Sequence, residues 1–576
     1  MSSYATKEGF SDRLNLVAMI NGEVPADVIV KNGFLVNVLT GEVLDWDVAV
    51  KSGRIGAVAR NVDRFLGDST RVIDAEGLYL TPGFIDAHLH IESSMLSPVR
   101  FAELMAGKGV TTIFYDPHEI ANVAGLEGVR YMYEEVNKTP INGFLTVPSC
   151  VPASSPELET TGDKFGLEEI VEALGWDKTG ALGEMMNFPG VLQGDEDVIE
   201  KLKKTLDFNL PVEGHASGLS GTDLDGYGSM GIDSDHESVT KEEGMERARK
   251  GFWTYIREGS GWADLAEVVR AVTETDISPQ RFCLVTDDRD VLDLIEEGGV
   301  DHVIRRGIEE GLDPLQAITM ASLNPAQRFG LDAELGSISP GRKADINLIH
   351  DQKTVEVETT LLGGKPVDEI EWPESTLSSL TDTVRVSREI TPELFQISEE
   401  EKDVGIRVHS NDVVTEKLSL SDCERKLNSL DKCAVIERHK MSGNVGRAFV
   451  AGFDLEGGAI ASTVAHDSHN LVVLGENELD MCAAASHLVS IGGGQAVARD
   501  GEIIASVELP IAGLMDDSSP EKVASSLSAV KKAIDDIGCS IPQPMMILSS
   551  LALAVIPEVR LTDRGLVDVN RQKLIH

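Results

Sequence analysis

The stretch FIDAHLHIESSM, residues 84–95, places two histidines, His88 and His90, two positions apart at the end of an apolar run. The run predicts a buried β-strand, and alternate side chains of a strand point to the same side. Both imidazoles therefore face one way, where they could bind a metal ion together. Two satisfied core histidines would give the same pattern, so the rest of the chain has to decide between the two interpretations.

The region around and after this stretch alternates predicted strands and helices. The strand segments are GFIDAHLH, VTTIFYD, NGFLTVPS, GALGEMM, LPVEGHA, GIDSDHE, GFWTYIRE and RFCLVTDD. Helical patterns such as SPVRFAELMAGKG and DVIEKLKKTL separate most of them, whereas SGLSGTDLDGYGSM is a weaker helix candidate. Eight such alternations predict an α/β fold, a (β/α)8 TIM-like barrel rather than an open sheet.

Two β-rich segments bracket this region, DVIVKNGFLVNVLTGEVLDWDVAVKSGRIGAVA before it and GSISPGRKADINLIHDQKTVEVETTLLGGKPV after it. They could pair into one composite β-sandwich domain built from both flanks. Later, KCAVIERH predicts a strand and SPEKVASSLSAVKKAIDDIG a helix, which suggests an extra C-terminal α+β domain. We therefore divide the 576 residues into 1–80 and 336–375 for the composite domain, 81–335 for the barrel, and 376–576 for the C-terminal domain.

Acidic residues far outnumber basic ones: 96 Asp and Glu against 51 Lys and Arg give a formal charge of −45 at pH 7. This balance argues against nucleic acid as a partner, because phosphate contacts require clustered Lys and Arg. It also argues against binding to an anionic membrane surface. The charge fits either a salt-rich cytoplasm, in which ions screen the self-repulsion, or an ordinary acidic surface that aids solubility.

The cysteines are few for so long a chain and include no CxxC pair, which argues against a disulfide framework or a zinc ribbon. They are Cys150, Cys283, Cys423, Cys433, Cys482 and Cys539. Reduced thiols favour a cytoplasmic location, and the first residues, MSSYATKEGFSDRLNLV, do not resemble a signal peptide. The longest apolar run, PMMILSSLALAVIP, is too short to span a bilayer and predicts a buried core element or an interface.

Ionisable residues stand near the carboxyl ends of five predicted strands, the end of a TIM-like barrel that usually carries the chemistry. A single histidine there is more often structural, and a single aspartate before a helix is more often an N-cap. Together, four imidazoles and two carboxylates at one end fit a two-metal site with one bridging carboxylate. The six residues are His88, His90, Glu184, His215, His236 and Asp287.

In these positions the chain resembles the amidohydrolase superfamily, whose pattern is HxH on strand one, histidines on strands five and six, and aspartate on strand eight. Many members use a carboxylated lysine on strand four as the bridge, but ALGEMMN has Glu184 there and no lysine. A bridging glutamate at this position resembles the arrangement in the adenine deaminase family of that superfamily. The segments GFIDAHLHIESSML, YDPHEIANVAG, GHASGLSG and AHDSHN also resemble its signatures, and the resemblance covers essentially the whole chain.

The resemblance implies the hydrolysis of adenine to hypoxanthine and ammonia, a reaction of purine salvage. A metal-activated hydroxide would attack C6, because metal ions lower the pKa of bound water from ~16 towards ~7. The ligands assigned to one metal ion are His88, His90, Glu184 and Asp287, and those of the other are Glu184, His215 and His236. Asp287 and His236 are the expected catalytic residues, with Asp287 accepting the proton of the water. This ligand set suits manganese or iron as well as zinc, and the resemblance favours manganese or iron.

Other polar residues near the strand ends are candidates for contacting the purine or supporting the ligands. Glu92 could contact the purine or orient a ligand, and helix capping is an equal alternative for it. The ionisable run in YDPHE favours a proton relay or a supporting role over a plain turn, because such groups are costly to bury without partners. The loop in AHDSHN could reach over the barrel mouth or be an ordinary turn, and Arg289 could contact substrate or lie solvated on the surface. The candidates are Glu92, Asp116, His118, Glu119 and Glu237, and the loop residues are His466, Asp467, His469 and Asn470.

Two alternative functions stay open on the sequence. One is another nucleobase or cyclic-amide hydrolase of the same superfamily, such as a dihydroorotase-like enzyme, although no clear arginine or asparagine set for a carboxylate substrate is present. The other is a metal-free scaffold used for assembly, which disagrees with the complete ligand set. For an adenine hydrolase, the expected partners are adenine, water and a second copy of the chain in a homo-oligomer.

Overall fold

One helix and seven short strands form the N-terminal part of the chain. The computed structural model describes residues 7–376, 379–398, 401–410, 412–419 and 430–575. The sequence pattern did not predict helix α1 (Lys7–Ile20), whose Met19 packs against Ile29 and Ala49. The strands are β1 (Val28–Lys31), β2 (Phe34–Asn37), β3 (Glu42–Leu44), β4 (Asp47–Lys51), β5 (Arg54–Ala59), β6 (Arg71–Asp74) and β7 (Tyr79–Pro82).

The central region alternates strands and helices as predicted. Each of the eight predicted segments contains a strand, and the weaker helix candidate contains α7. The strands are β8 (Phe84–Leu89), β9 (Val110–Tyr115), β10 (Asn142–Val147), β11 (Thr179–Met185), β12 (Val212–Gly214), β13 (Ser234–Asp235), β14 (Trp253–Arg257) and β15 (Phe282–Val285). The helices are α2 (Pro98–Gly107), α3 (His118–Lys138), α4 (Leu167–Leu174), α5 (Phe188–Gln193), α6 (Glu196–Asp207), α7 (Gly221–Ser229), α8 (Lys241–Arg249), α9 (Leu265–Val268), α10 (Arg270–Thr273), α11 (Val291–Glu296), α12 (Val300–Glu309), α13 (Pro314–Met320) and α14 (Leu323–Arg328).

The central strands form a curled parallel sheet in two parts. Strands β8–β12 pair in the order β12-β11-β10-β9-β8, and β13–β15 pair in the order β13-β14-β15. Isolated parallel bridges connect the two parts, one between Val212 and Ile232 and one between Leu89 and Asp287. Because parallel strands end at the same edge, residues that follow β8, β11, β12, β13 and β15 come together there.

The two flanks of the central region share a sheet. Strands β16 (Ile346–Ile349), β17 (Val357–Leu362) and β18 (Lys365–Pro366) follow the last helix, and β16 pairs antiparallel with β7. The resulting six-stranded sheet has the order β18-β17-β16-β7-β2-β3, beside a four-stranded sheet in the order β5-β4-β1-β6. One apolar cluster unites both sheets, with Val30 and Val50 from one and Leu80 and Leu361 from the other.

The C-terminal part contains a mixed eight-stranded sheet. Its order is β20-β19-β22-β21-β24-β23-β25-β26, and β27–β29 form a separate three-stranded sheet. The strands are β19 (Val404–His409), β20 (Asp412–Ser419), β21 (Asp431–Ile436), β22 (Val445–Ala451), β23 (Ala459–Ser462), β24 (Leu471–Gly475), β25 (Gly494–Arg499), β26 (Glu502–Glu508), β27 (Val559–Thr562), β28 (Gly565–Asp568) and β29 (Lys573–Leu574). The helices are α15 (Glu478–Ile491), α16 (Pro520–Asp536) and α17 (Pro544–Ser550).

The described cysteines and the longest apolar run can be compared with the sequence-based expectations. Five cysteines are unpaired, and Cys423 lies outside the described residues. Among the described helices, none is both long and apolar enough to cross a bilayer. The run PMMILSSLALAVIP begins with α17, and its Leu548 and Leu551 are fully buried as expected of a core element.

Candidate metal centre

The structure brings the six predicted ligand residues together at the carboxyl ends of the parallel strands. His88 lies in β8 and Glu184 in β11, and the others follow the ends of β8, β12, β13 and β15; these are His90, His215, His236 and Asp287. Five of the six are at most 4% exposed, whereas the His215 side chain is 24% exposed. Burial of so many ionisable groups costs free energy unless they pair with one another or bind an ion.

Glu184 is the centre of the cluster. Its Oε2 lies 2.6 Å from Nδ1 of His215 and 3.1 Å from Nε2 of His236. Its Oε1 lies 3.4 Å from Nε2 of His90. Burial opposes ionisation of this carboxyl, but the hydrogen bonds and charges of His215 and His236 outweigh it and hold its pKa well below the usual range. Glu184 is thus an ionised carboxylate with imidazoles on both oxygens, as a bridging ligand requires.

Asp287 is the second carboxylate of the cluster. Its Oδ1 lies 3.3 Å from Nε2 of His90 and 3.5 Å from Nε2 of His88. Its Oδ2 accepts a hydrogen bond of 3.0 Å from Nη1 of Arg257. Burial raises its pKa, but His88, His90 and the neighbouring cations lower it well below the usual range. The backbone of Asp287 is left-handed, with φ of 58°, a strained conformation typical of residues at functional sites.

The donor set fits metal ions. Several groups of three residues each bring one ligand atom from every member within 4.8 Å of the others, among them His88, His236 and Asp287; His88, His90 and Glu184; and Glu184, His215 and His236. Nε2 of His88 is buried and has no hydrogen-bond partner among the described residues. Burial and the charge of His236 lower the pKa of His88, which keeps its imidazole neutral. A neutral, buried and unpaired imidazole nitrogen is suited to a metal ion.

Asp116 supports two of the ligands. Its Oδ2 accepts a hydrogen bond of 3.0 Å from the amide of Glu184, and its carbonyl accepts one of 2.9 Å from Nδ1 of His90. The second bond directs Nε2 of His90 into the cluster. His118 lies beside it, with Nδ1 3.5 Å from Oε1 of Glu184. Glu237 lies 3.5 Å from Nε2 of His236 and also pairs with Arg257.

Gly183 allows Asp116 to approach Glu184. A Cβ at this glycine would lie 2.0 Å from Oδ2 of Asp116 and 2.9 Å from the carbonyl oxygen of Val147. We therefore expect Gly183→Ala to displace Asp116 and to weaken metal binding by ~10–100-fold, as loss of an outer-shell partner does. Titration of metal-free protein with manganese measures this change. Gly107→Ala in α2, where a Cβ meets nothing within 4 Å, is the matched control and should bind metal as the unaltered chain does.

Glu92 accepts a hydrogen bond at the start of a helix and also lines a cavity. Its Oε1 accepts a hydrogen bond of 3.2 Å from the amide of Ile120 in the first turn of α3, which is a capping interaction. Its Oε2 is buried without a hydrogen-bond partner in the described part of the chain, and the residue lines a cavity. Burial raises its pKa to about 7, so both protonation states are present near neutral pH.

A cavity of about 430 Å³ lies between the strand ends and the C-terminal part of the chain. Glu92, Glu119 and Asp288 line it on one side, and His466 and Met545 line it on the other. A concave site of this size with apolar walls and a few polar groups suits a small molecule. The C-terminal part therefore forms one wall of this cavity, whose lining includes Asp288, the neighbour of Asp287 in the chain, but none of the six ligand residues themselves.

Glu119 joins the two parts of the chain. Its Oε1 pairs with Nδ1 of His466, and its Oε2 pairs with Nε2 of His469. Burial opposes ionisation of Glu119, but the charges of His466, His469 and His118 hold its pKa well below the usual range. The pairing with Glu119 also raises the pKa of His466 to about 9, against the effect of burial. The AHDSHN loop thus reaches the residues that follow the end of strand β9 in the central sheet.

Sequence reasoning missed several groups near the cluster. Arg257 is the last residue of β14 and pairs with Asp287, Glu237 and Asp264. The histidines were predicted because they stand at the carboxyl ends of strands, and the same criterion would have selected Arg257. Asp288 lines the cavity and accepts a hydrogen bond from Oγ of Ser93, which only the three-dimensional structure places beside it. The surface interpretation of Arg289 is wrong. This residue is 3% exposed, and its guanidinium donates to the carbonyl oxygens of Gly298 and Glu258.

Known proteins match nearly the whole chain. The amidohydrolase family model matches residues 79–367, and the model of the adenine deaminase C-terminal domain matches residues 399–573. The adenine deaminase of Moorella thermoacetica is 41% identical over 583 residues, which cover 97% of each chain. That of Paracoccus denitrificans is 42% identical over 581 residues, covering 97% of this chain and 96% of the relative. The solved β-aspartyl dipeptidase of Fervidobacterium islandicum AW-1 has a TM-score of 0.46 at 16% identity, covering 62% of this chain and 99% of that one.

Proposed function

Because the chain belongs to the adenine deaminase family of the amidohydrolases, we propose that its histidine–carboxylate cluster hydrolyses adenine to hypoxanthine and ammonia. Relatives that match it over nearly its whole length are adenine deaminases, so the chain is a hydrolase that acts on adenine. The observation that carries the proposal for this site is Glu184, a buried carboxylate with imidazoles close to both oxygens. Hypoxanthine formed in this way would return to purine salvage.

We propose two divalent ions at this cluster, manganese or iron, with zinc as the next candidate. The proposed ligands of one ion are His88, His90, Glu184 and Asp287, and those of the other are Glu184, His215 and His236. Bound ions would lower the pKa of a coordinated water to ~7 and so supply hydroxide at neutral pH. The soft ligand cysteine is absent from the set, which supports ions that prefer imidazole and carboxylate.

Hydrolysis at C6 requires protons to leave the attacking water and to reach the purine and its departing amine. Asp287 is ionised, lies among the ligands and is held by Arg257, so we propose it as the group that accepts the water proton. His236 is the second catalytic candidate, since its Nε2 lies 3.1 Å from Glu184 and 3.5 Å from Glu237. General acid–base assistance of this kind contributes ~10²–10⁴-fold to the rate.

The architecture proposed for this function is a closed eight-stranded barrel. The bridges Val212–Ile232 and Leu89–Asp287 support closure between the two parts of the parallel sheet. We retain the boundaries 1–80 with 336–375 for the composite β domain, 81–335 for the barrel and 376–576 for the C-terminal domain. The pairing of β16 with β7 supports the first of these units.

We also propose a cytoplasmic location and a homo-oligomeric state. The unpaired thiols of the described cysteines support a reducing compartment. Light scattering on the purified protein at two salt concentrations tests the oligomeric state. Activity at the same two concentrations tests whether the charge of −45 requires a salt-rich environment.

Ammonia release from adenine tests the proposed function. Purified protein is stripped of metal, reloaded separately with manganese, iron or zinc, and assayed with adenine. We expect release with at least one ion and none from the metal-free protein. If metal binds but adenine is not deaminated under any loading, the proposal fails, and a panel of other nucleobases and cyclic amides would identify the alternative hydrolase.

Metal loading should release protons. Burial lowers the pKa of His236, but the hydrogen bond and charge of Glu184 raise it to about 9, so in the metal-free cluster this imidazole is protonated at pH 7. A metal ligand must be a neutral imidazole, so binding expels the proton and the apparent affinity for metal increases from pH 7 towards pH 9. Calorimetry in buffers of different ionisation enthalpy measures the protons released. Equal heats in all buffers would contradict this expectation.

A further inference from the structure

Two residues that line the cavity of about 430 Å³ have a buried polar atom without a partner. Gln495 in β25 lines it from the C-terminal sheet and is 4% exposed, and its Oε1 has no hydrogen-bond partner among the described residues. Glu92 lines the other side, and its Oε2 is likewise buried and unpaired within the described part of the chain. Buried acceptors are normally satisfied, because leaving them unpaired costs free energy. Two of them around one cavity indicate a ligand that donates hydrogen bonds.

The same cavity has an excess of unpaired negative charge. Each lysine, arginine and histidine of the lining already contacts a carboxylate; the pairs are Lys531–Asp290, Arg289–Glu297, His466–Glu119 and His469–Glu119. By contrast, four carboxylates of the lining have no nitrogen of a described Lys, Arg or His within 4.0 Å; they are Glu92, Asp288, Asp293 and Asp535. A partly enclosed space with unpaired carboxylates favours a small cation over an anion or a neutral molecule.

The inner end of the cavity lies next to the proposed metal ligands. One carboxylate oxygen of Asp288 is within 4.8 Å of a ligand atom of His90 and of one of Asp287. Oγ of Ser93, which also lines the cavity, donates a hydrogen bond to Oδ1 of Asp288 and so holds this carboxylate in place. A small product released at the metal ligands would therefore enter a space that offers it unpaired carboxylates.

The other end of the cavity reaches the surface. Lys531 and Asp535 of α16 both line it; the Lys531 side chain is 51% exposed, and Asp535 is exposed as well. Gln543 lines the cavity beside them, and its Nε2 donates to the carbonyl oxygen of Ser260 at 2.7 Å. The lining thus extends from Asp288 at the cluster to solvent, as a route for a small product requires.

The deamination of adenine produces one small cation. When the bond between C6 and the exocyclic nitrogen breaks, the amine leaves as ammonia, which takes up a proton from the solvent near neutral pH and becomes ammonium. Ammonium is positively charged, donates through every hydrogen and has no acceptor, which matches unpaired acceptors and carboxylates. We propose that this cavity binds ammonium between Gln495 and the unpaired carboxylates, and that the ammonium product leaves through it. This inference rests on the proposed deamination of adenine.

Inhibition by added salts tests the inference. Metal-loaded protein is assayed from the change in purine absorbance, with ammonium or potassium chloride added and sodium chloride keeping the ionic strength constant. We expect ammonium to lower kcat and to leave KM for adenine unchanged, because it fills the cavity and not the position of the purine at the metal ligands. Potassium has the same charge and a similar size but no N–H group, so it should inhibit about 10-fold more weakly.

Two variants connect the inhibition to this cavity. Gln495→Met replaces the amide by an apolar side chain of similar length and should raise the inhibition constant of ammonium by about 3–10-fold, the effect of losing one hydrogen bond. Asp535→Asn should raise it by about 2–5-fold, because an exposed charge contributes less. Asp536→Asn is the matched control: it is the next residue of α16 and is also exposed, but it does not line the cavity, so the constant should stay unchanged.

Nuclear magnetic resonance of isotopically labelled ammonium chloride gives a readout that does not depend on turnover. We expect the ammonium signal to broaden when the unaltered, metal-loaded protein is added. The broadening should need about 3–10-fold more ammonium to saturate in Gln495→Met. Equal saturation in the two proteins would contradict binding at Gln495.

Failure of the inference and failure of the proposed function can be distinguished. If the unaltered protein releases no ammonia from adenine under any metal loading, the proposed function fails, and the inference with it. If it deaminates adenine but ammonium inhibits no more than sodium, or inhibits Gln495→Met equally, the inference alone is overturned. Potassium that inhibits as strongly as ammonium would overturn the assignment to ammonium. An increase in KM alone would also overturn the inference, because the ion would then compete for the position of the purine.

Discussion

We expect Glu184→Gln to lose bound metal and adenine deamination together, with kcat/KM decreasing by more than the ~10²-fold that changes to outer-shell partners cause. An amide has no charge to bridge two cations. It would also leave the imidazoles of His215, His236 and His90 without the carboxylate that they now contact. Metal analysis after dialysis and an ammonia assay measure the two losses. A Glu184→Gln variant with full metal content and normal turnover would remove Glu184 as the bridge.

The control for this change is a buried glutamate far from the cluster. Glu135 in α3 is 2% exposed and pairs with Lys138. Glu135→Gln should retain metal and activity.

Glu184→Lys is a sharper probe, because a lysine could bridge two ions only after carboxylation by carbon dioxide. We expect activity of this variant, if any returns, to depend on added bicarbonate.

Asp287→Asn should keep much of the metal but lose most of the rate, with kcat decreasing by ~10²–10⁴-fold, the contribution of a general base. Asparagine retains one oxygen for a metal ion, but its amide group can neither accept the hydrogen bond that Oδ2 now accepts from Arg257 nor accept the proton of the attacking water. Single-turnover kinetics at matched metal content measure the chemical step. Normal turnover in this variant would exclude Asp287 from proton transfer.

The Asp287→Asn change removes both a negative charge next to Arg257 and the proposed proton acceptor, and a control has to separate the two effects. Asp264 pairs with Nε of the same guanidinium at 2.9 Å but lies outside the cluster. Asp264→Asn therefore removes a partner of Arg257 while leaving the proposed proton acceptor in place. A decrease in kcat much smaller than that of Asp287→Asn is expected.

Local patterns were sufficient to predict the central strands and to predict that the six proposed ligand residues lie together. The eight central segments are apolar runs between helical patterns, and a parallel sheet places their carboxyl ends at one edge. His88 and His90 could therefore be assigned to the same site as His215 and His236 before any contact was known. The pairing of the flanks followed from a second β-rich segment, which supplies β16 as the partner of β7.

Contacts between distant segments could not be predicted from such patterns. Glu119 pairs with His466 and His469, and nothing in either local sequence indicates the other. Arg289 stands in a charged run, which is typical of surface residues. In the structure it is buried, and carbonyl oxygens of distant residues accept its hydrogen bonds.

During synthesis, the metal ligands leave the ribosome before the wall that encloses them. All six proposed ligands precede residue 288, whereas His466, His469 and helices α16 and α17, which contribute to the cavity lining, follow much later in the chain. If the central region folds as soon as it is synthesised, metal ions could bind at its exposed strand ends before the C-terminal part of the chain is made and covers them. The order of the polypeptide therefore allows metal ions to bind before the C-terminal part covers the strand ends, in addition to the loading of the folded protein that the assays use.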